Sequence, residues 1–450
     1  MAAVHTAAAR AVVLPLSMAG LGAVLFWLLL GDLGIQMRDR AALPSALELL
    51  RHHAASDTVT SLLLSTVPAA LSMLLVPLVG YHSDRCRSPM GRRKPFLLVA
   101  APVGCLALAG LALSPALAAG ADALLGAWSP GLRGCRLAFF CLFWTVFECA
   151  AISALSLFTG LVNDIVPQGL LGRFFAGFRI VGLTVGIAFN TWIFALTDHY
   201  LTEILLGVSL VFCLPMLAMC LMIRETPLAP GTAPASGASR RLRFPLAHVL
   251  ECFSYRPYAW AVAVFMLASV TFSPFNTFYQ YYAHVIGIPK ATLGALTAAG
   301  YTVSILSAFA IGWLADRFGA VRVSSIIMSV YCVVAAVGYL GVSDAASFRA
   351  FYLAHVTISG AWWTAAASMP MALLPRSKFV QYNSTKDLMV VLGSILVSSV
   401  QGPVLDLSGH DYRLTMLAGA SFSLLCICCL VRLQSGALAG EIARRQRRDP

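Results

Sequence analysis

Twelve apolar runs, each long enough to cross a bilayer, follow one another along this chain, and they constrain the fold more than any other feature. A spanning helix needs about 20 mostly apolar residues. Runs of that kind occupy roughly 11–36, 60–81, 96–119, 137–162, 174–197, 203–223, 257–283, 291–315, 321–341, 347–374, 387–408 and 412–433. In a bilayer every backbone polar group must be satisfied internally, so such runs fold as helices. Only 11% of the 450 residues are charged, against about a quarter in soluble domains. An ordinary soluble enzyme is therefore excluded. The net charge of +12 does not point to nucleic acid, because the cations sit in short loops between apolar runs rather than on an aromatic-interleaved basic face. Anionic lipid headgroups are the natural partner.

The cations also set the orientation. Gly80–Phe96 carries five of them, Arg85, Arg87, Arg92, Arg93 and Lys94, between two apolar runs. With both termini on the cytoplasmic side, 23 of the 31 lysines and arginines fall on inner segments, as the positive-inside rule requires. Arg38, Arg40 and Arg51 are counted among the outer loops in this scheme. The first run lacks the short core and small-residue cleavage site of a signal peptide, so it is expected to stay in the membrane. The twelve cysteines are scattered, mostly inside apolar runs, with no zinc spacing, so no metal site, cofactor or disulfide framework is expected.

A Pro/Gly/Ser/Ala-rich stretch between spans six and seven reads as a flexible linker. It divides the chain into a first six-helix bundle (1–223), a cytoplasmic linker (224–256), a second six-helix bundle (257–433) and a basic tail (434–450). The halves repeat weakly. Gly80-x3-Asp84-Arg85 follows span two and Gly312-x3-Asp316-Arg317 follows span eight. Parallel repeats of this kind rock against each other around a midplane site.

Both inner loops resemble those of the major facilitator superfamily. More narrowly, Ser83–Phe96 is similar to the loop of sucrose transporters and of the glycoside–pentoside–hexuronide cation symporters, and Arg224-Glu225-Thr226 fits a sugar-porter pattern. The resemblance implies an all-α, twelve-helix membrane fold, no enzymatic activity, and cation-coupled uptake of a sugar, glycoside or related polar metabolite by alternating access. The melibiose branch places acidic residues in span two for sodium. Span two here has none, which favours protons.

Glu148 is the strongest single residue. By helical rise it lies about 21 Å from the inner end of span four, where a carboxylate costs about 3 kcal/mol and should face the bundle interior. It is read either as a proton acceptor or as a structural glutamate held by a neighbouring helix. Asp32, near the outer end of span one, either binds substrate or gates the outer side, or else is an interfacial carboxylate. In span seven, Asn276, Tyr279 and Gln280 combine aromatic faces and amides suited to a polyol, with Asn276 and Gln280 on one helical face. Trp144, Asn190, Trp362, Trp363 and Gln401 complete the substrate-binding candidates. Gating candidates are Gly80, Asp84, Arg85, Arg92, Arg93, Asp164, Arg173, Arg179, Gly312, Asp316, Arg317 and Arg322. The glycines would allow close backbone approach, and Asp84 or Asp316 would pair with nearby arginines to close the cytoplasmic side. Arg179 either gates or snorkels to the cytoplasmic face. The remaining alternatives are an antiporter exporting drugs or lipids on the same fold and a membrane receptor that does not transport. The Ala- and Arg-rich composition points to a bacterial inner membrane, and a monomer is expected.

Overall fold

The computed structural model describes residues 18–225, 252–374, 379–435, 438 and 440, leaving aside the side chains of 18–19, 168–169, 171–173 and 379–380. Most of the expected linker and of the basic tail therefore lies outside the described residues. The described chain forms twelve long helices. Helix α1 comprises Met18–Met37, a π-helical turn Arg38–Ala42 and Leu43–His52; α2 comprises Asp57–Ser61, a second such turn Leu62–Thr66 and Val67–Asp84. Then come α3 (Lys94–Leu125), α4 (Gly131–Ile165) and α5, which runs through Gln168–Ala188, a third π-helical turn Phe189–Ile193 and Phe194–Asp198. The rest are α6 (Leu201–Met222), α7 (Arg256–Val285), α8 (Lys290–Phe318), α9 (Ala320–Gly341), α10 (Ala345–Ala366), α11 (Phe379–Leu407) and α12 (Leu414–Leu433).

Eleven of these are long and apolar enough to cross a membrane, and the protein is a multi-pass integral membrane protein. The exception is α10, which at 22 residues still measures about 33 Å. Its lower hydropathy has a local cause: Tyr352, Ser359, Gly360 and Trp363 line an internal cavity rather than lipid.

Span one is corrected by the structure. It continues to His52 instead of stopping near 36, so Arg38 and Arg40 lie inside the helix and Arg51 at its far end, not in an outer loop. The charges do not break the helix because they face other protein groups: Arg38 binds Glu148, Arg51 binds Glu48, and Arg40 lies over the Tyr301 ring beside the cavity described below. Asp32 correspondingly sits well inside α1 rather than near its end.

The packing repeats after six helices. In the first half α3 packs on α4 and α6, α1 on α5 and α6, and α2 on α4. In the second, α9 packs on α10 and α12, α7 on α11 and α12, and α8 on α10. The halves meet through α2 with α11 and through α5 with α8, two contacts related by the same shift. Small residues permit the closest approaches. At Gly294 a Cβ would lie 2.2 Å from the Asn190 carbonyl oxygen, and at Gly402 it would lie 2.6 Å from the Asp57 carbonyl oxygen. A tight turn at Gly319 (φ +90°) lets α9 start one residue after α8 ends.

Candidate transport site

A cavity of about 650 Å³ lies between the halves. Three helices reach its wall through their π-helical turns: α1 with Asp39 and Arg40, α2 with Leu64 and Ser65, and α5 with Asn190. A π-turn inserts an extra residue into the helical register and turns side chains out of line, and such turns concentrate at functional sites. From the second half come Asn276, Tyr279 and Gln280 of α7, Tyr301 and Ser304 of α8, and Tyr352 and Trp363 of α10.

Asn276, Tyr279, Gln280, Asn190, Trp363 and Arg179 are thus brought together around one cavity, from both halves. Arg179 lies eleven residues into α5, not at its mouth, and its Nη2 donates to Ser304 Oγ (3.3 Å) and to the Gly360 carbonyl (3.1 Å) of the second half. Asn276 is oriented from behind by His355, a buried residue that composition and spacing did not mark. The pairing is satisfied when His355 Nε2–H donates to Asn276 Oδ1 (2.9 Å) and the Tyr331 hydroxyl donates to His355 Nδ1 (2.9 Å). That arrangement leaves the Asn276 amide N–H groups for the cavity.

Trp144, Trp362, Asp32 and Gln401 stand behind the wall. Trp144 is fully buried against Phe140 and Phe147, its indole donating to the Leu63 carbonyl (3.0 Å). Trp362 fills the core of the second half. Asp32 is buried and accepts from Gln36 (3.1 Å). Gln401 donates to Ser61 Oγ across the α2–α11 contact.

Glu148 is also behind the wall, 1% exposed, and is bound to Arg38 through Nη2–Oε2 (2.6 Å), Nε–Oε2 (3.1 Å) and Nε–Oε1 (3.2 Å). Arg38 at the same time donates through Nη1 to Asp39, which faces the cavity. The result is a chain of charge, Glu148–Arg38–Asp39, running from the core of the first half to the cavity. The signal available in the sequence was the absence of any Gly or Pro between Met37 and Leu43, which allows the helix to continue.

At the end where α2 starts, the halves are clasped. Asp406 of α11 accepts from the backbone N–H groups of Asp57 (2.9 Å) and Thr58 (2.9 Å), capping α2 from the other half. Asp57 in turn binds His410 Nδ1 (2.7 Å) and the Tyr412 hydroxyl (3.1 Å). Lys290 of α8 bridges Glu48 (2.8 Å) and Asp198 (2.7 Å) of the first half. Among the described residues every ion pair joining the halves lies at this end.

The opposite end holds the basic loop. Asp84 pairs with Arg92 (3.8 Å) and Arg93 (3.5 Å), and Asp164 pairs with both (2.7 Å each). This network ties the ends of α2, α3 and α4 together within one half. Among the described residues none of these pairs reaches the second half in this conformation. Glu225 completes it by accepting from the backbone N–H groups of Arg93 (3.0 Å) and Lys94 (3.1 Å), beside Gly91 at φ +104°. The Arg92 guanidinium is held above its usual pKa, Asp164 outweighing the cost of burial. Arg85 stacks on the Tyr81 ring at 3.9 Å. Gly80 and Gly312 are not points of close approach in this conformation: a Cβ at either would meet nothing within 4 Å. Asp316 and Arg322 are exposed, and no ion pair joins them among the described residues, while Arg317 lies over Trp313 at 5.1 Å. The side chain of Arg173 lies outside the described residues.

The family described as MFS/sugar transport protein matches residues 55–379. The chain belongs to that family. The transporter's fold is shared with several solved structures. It is similar to the nucleoside transporter NupG (TM-score 0.68, 14% identity, covering 92% of this chain and 99% of that one). It is also similar to a bacterial homologue of the iron transporter ferroportin in the inward-facing state (0.68, 14%, 93% and 100%) and to a D-xylose–proton symporter (0.63, 14%, 90% and 97%). The family is one of membrane transporters, not enzymes, and implies a small-molecule solute.

Proposed function

We propose that this transporter carries a sugar, glycoside or related polar metabolite by alternating access, coupled to a proton. The observation that carries the reading is the Glu148–Arg38–Asp39 chain next to a cavity walled by amides, hydroxyls and aromatic rings. A buried glutamate is costly in the membrane unless a partner holds it. Here the partner also holds a carboxylate that the solute and water can reach. Protonation of either acid releases Arg38 toward the other, which ties the proton count to the state of the cavity. The aromatic rings of Tyr279, Tyr352 and Trp363 suit stacking on a sugar face, and Asn276, Asn190 and Gln280 suit its hydroxyls.

In this reading the basic-loop end is cytoplasmic and the linker joins halves 1–223 and 257–433 there. The clasp at the other end closes the outer side, and the cavity opens inward. Sodium is the less favoured ion, and the protein works as a monomer in a bacterial inner membrane.

The test is uptake of labelled mono- and disaccharides into proteoliposomes under a proton gradient, a sodium gradient or neither, with wild-type protein and Glu148→Gln. Proton-driven accumulation that the variant loses while exchange survives is the expected result. Sodium-driven uptake, or accumulation unaffected by the substitution, would refute the coupling.

A further inference from the structure

The charge on the cavity wall narrows the solute, on the premise that the cavity is the transport site. Two arginines face it, Arg40 from α1 and Arg179 from α5. Arg179 contacts only neutral acceptors, Ser304 Oγ and the Gly360 carbonyl. Arg40 lies over the Tyr301 ring at 4.8 Å, and its Nε is buried without an acceptor. Among the described residues neither forms an ion pair. The wall's one carboxylate, Asp39, is taken by Arg38, which Glu148 binds from the other side.

Two guanidinium groups on an internal cavity wall within membrane-spanning helices, without counter-charge, are expensive. A guanidinium is also the group whose fork of donors matches a carboxylate or phosphate, giving shorter and stronger bonds than neutral acceptors do. We propose that the solute carries an oxyanion, carboxylate or phosphate, on a hydroxylated body, and that Arg40 and Arg179 bind the anion. The hydroxylated body is indicated independently. Gln280 is only 5% exposed, lines the cavity, and leaves its Oε1 without a donor while its Nε2 donates to the Tyr279 hydroxyl. Such an orphaned acceptor costs free energy until a ligand O–H supplies the bond. A cavity of about 650 Å³ falls in the range that encloses small-molecule ligands. A neutral sugar would satisfy Gln280 but leave both arginines without counter-charge, and a cationic solute would meet like charge.

The test uses the full chain in proteoliposomes with three probes that share one ring: D-glucose, D-glucuronate and D-glucose 6-phosphate. Binding is followed by tryptophan fluorescence, with Trp363 on the wall as a reporter, and uptake by radiolabel. At least one anionic probe should bind tenfold or more tightly than glucose, glucuronate leading for a carboxylate site and the phosphate ester for a phosphate site. Arg40→Gln and Arg179→Gln should each erase that preference, and Arg40→Lys should retain part of it, with gel filtration and cooperative melting certifying each variant as folded. Glucose binding as tightly as the anions, unmoved by the substitutions, would overturn the anion assignment and leave the transport reading standing. Selective anion binding without uptake under any gradient would overturn the transport reading and leave the anion assignment standing. Binding of none of the three by folded protein would overturn the assignment.

Discussion

Removing Arg38 while leaving Glu148 in place is the most informative perturbation of the buried charge chain. Glu148 is 1% exposed, and all three of its side-chain ion contacts go to Arg38. Breaking a buried pair from one side leaves an uncompensated charge, at a cost of about 3–5 kcal/mol. Arg38→Met should therefore lower the melting temperature of the purified transporter by roughly 6–20 °C, taking about 2–4 °C per kcal/mol for a unit of 150–250 residues. Glu148→Leu should cost less, about 1–3 kcal/mol, because Arg38 keeps its bond to Asp39 and loses only part of its compensation. The double variant Arg38→Met/Glu148→Leu should recover to within about 1 kcal/mol of the parent, since a buried pair replaced by packed apolar groups is often neutral. The assay is thermal unfolding of all four proteins in one detergent, read by tryptophan fluorescence. If the double variant melts as low as the sum of the singles, the two residues are not coupled and the chain from core to cavity is refuted.

Three further outcomes follow from the geometry. A side chain at position 294 would collide with the Asn190 carbonyl oxygen, 2.2 Å from an ideal Cβ, so Gly294→Val should part α5 from α8 and abolish uptake while leaving each half folded; normal uptake would show that the close approach is dispensable. The His410 pKa is raised chiefly by its hydrogen bond to Asp57, so the clasp is favoured fully below the unperturbed histidine value of about 6.5 and weakens as pH rises through the raised one. Spin labels at Ala55 and Ser408 should accordingly move apart between acid and alkaline pH, and His410→Ala should remove the dependence; an unchanged pH profile in that variant would assign it elsewhere. His355→Ala frees the Asn276 amide to rotate, and should weaken solute binding about tenfold, the effect of losing one oriented hydrogen bond of roughly 1.4 kcal/mol, with little change in maximal rate; a loss confined to maximal rate would contradict the positioning role.

Much of the molecule was legible in its residues. Membrane insertion, the all-helical architecture and the amide–aromatic face of α7 all depend on local hydropathy and helical period, which travel with the sequence. Glu148 stood out because a carboxylate inside an apolar run is costly unless held. What tertiary structure alone decided is where each helix turns its faces. Hydropathy counting ends span one just before Arg38, yet Arg38, Asp39 and Arg40 continue the helix, with Arg38 held by Glu148, 110 residues later. Trp362 and Trp363 are adjacent in sequence, but one fills a core and the other faces the cavity, a difference of about 100° around a helix. The clasp of Asp57, Asp406 and His410, and the service of His355 to Asn276, join residues from separate helices. Their meeting depends on how twelve helices pack, and no local pattern in the chain encodes it.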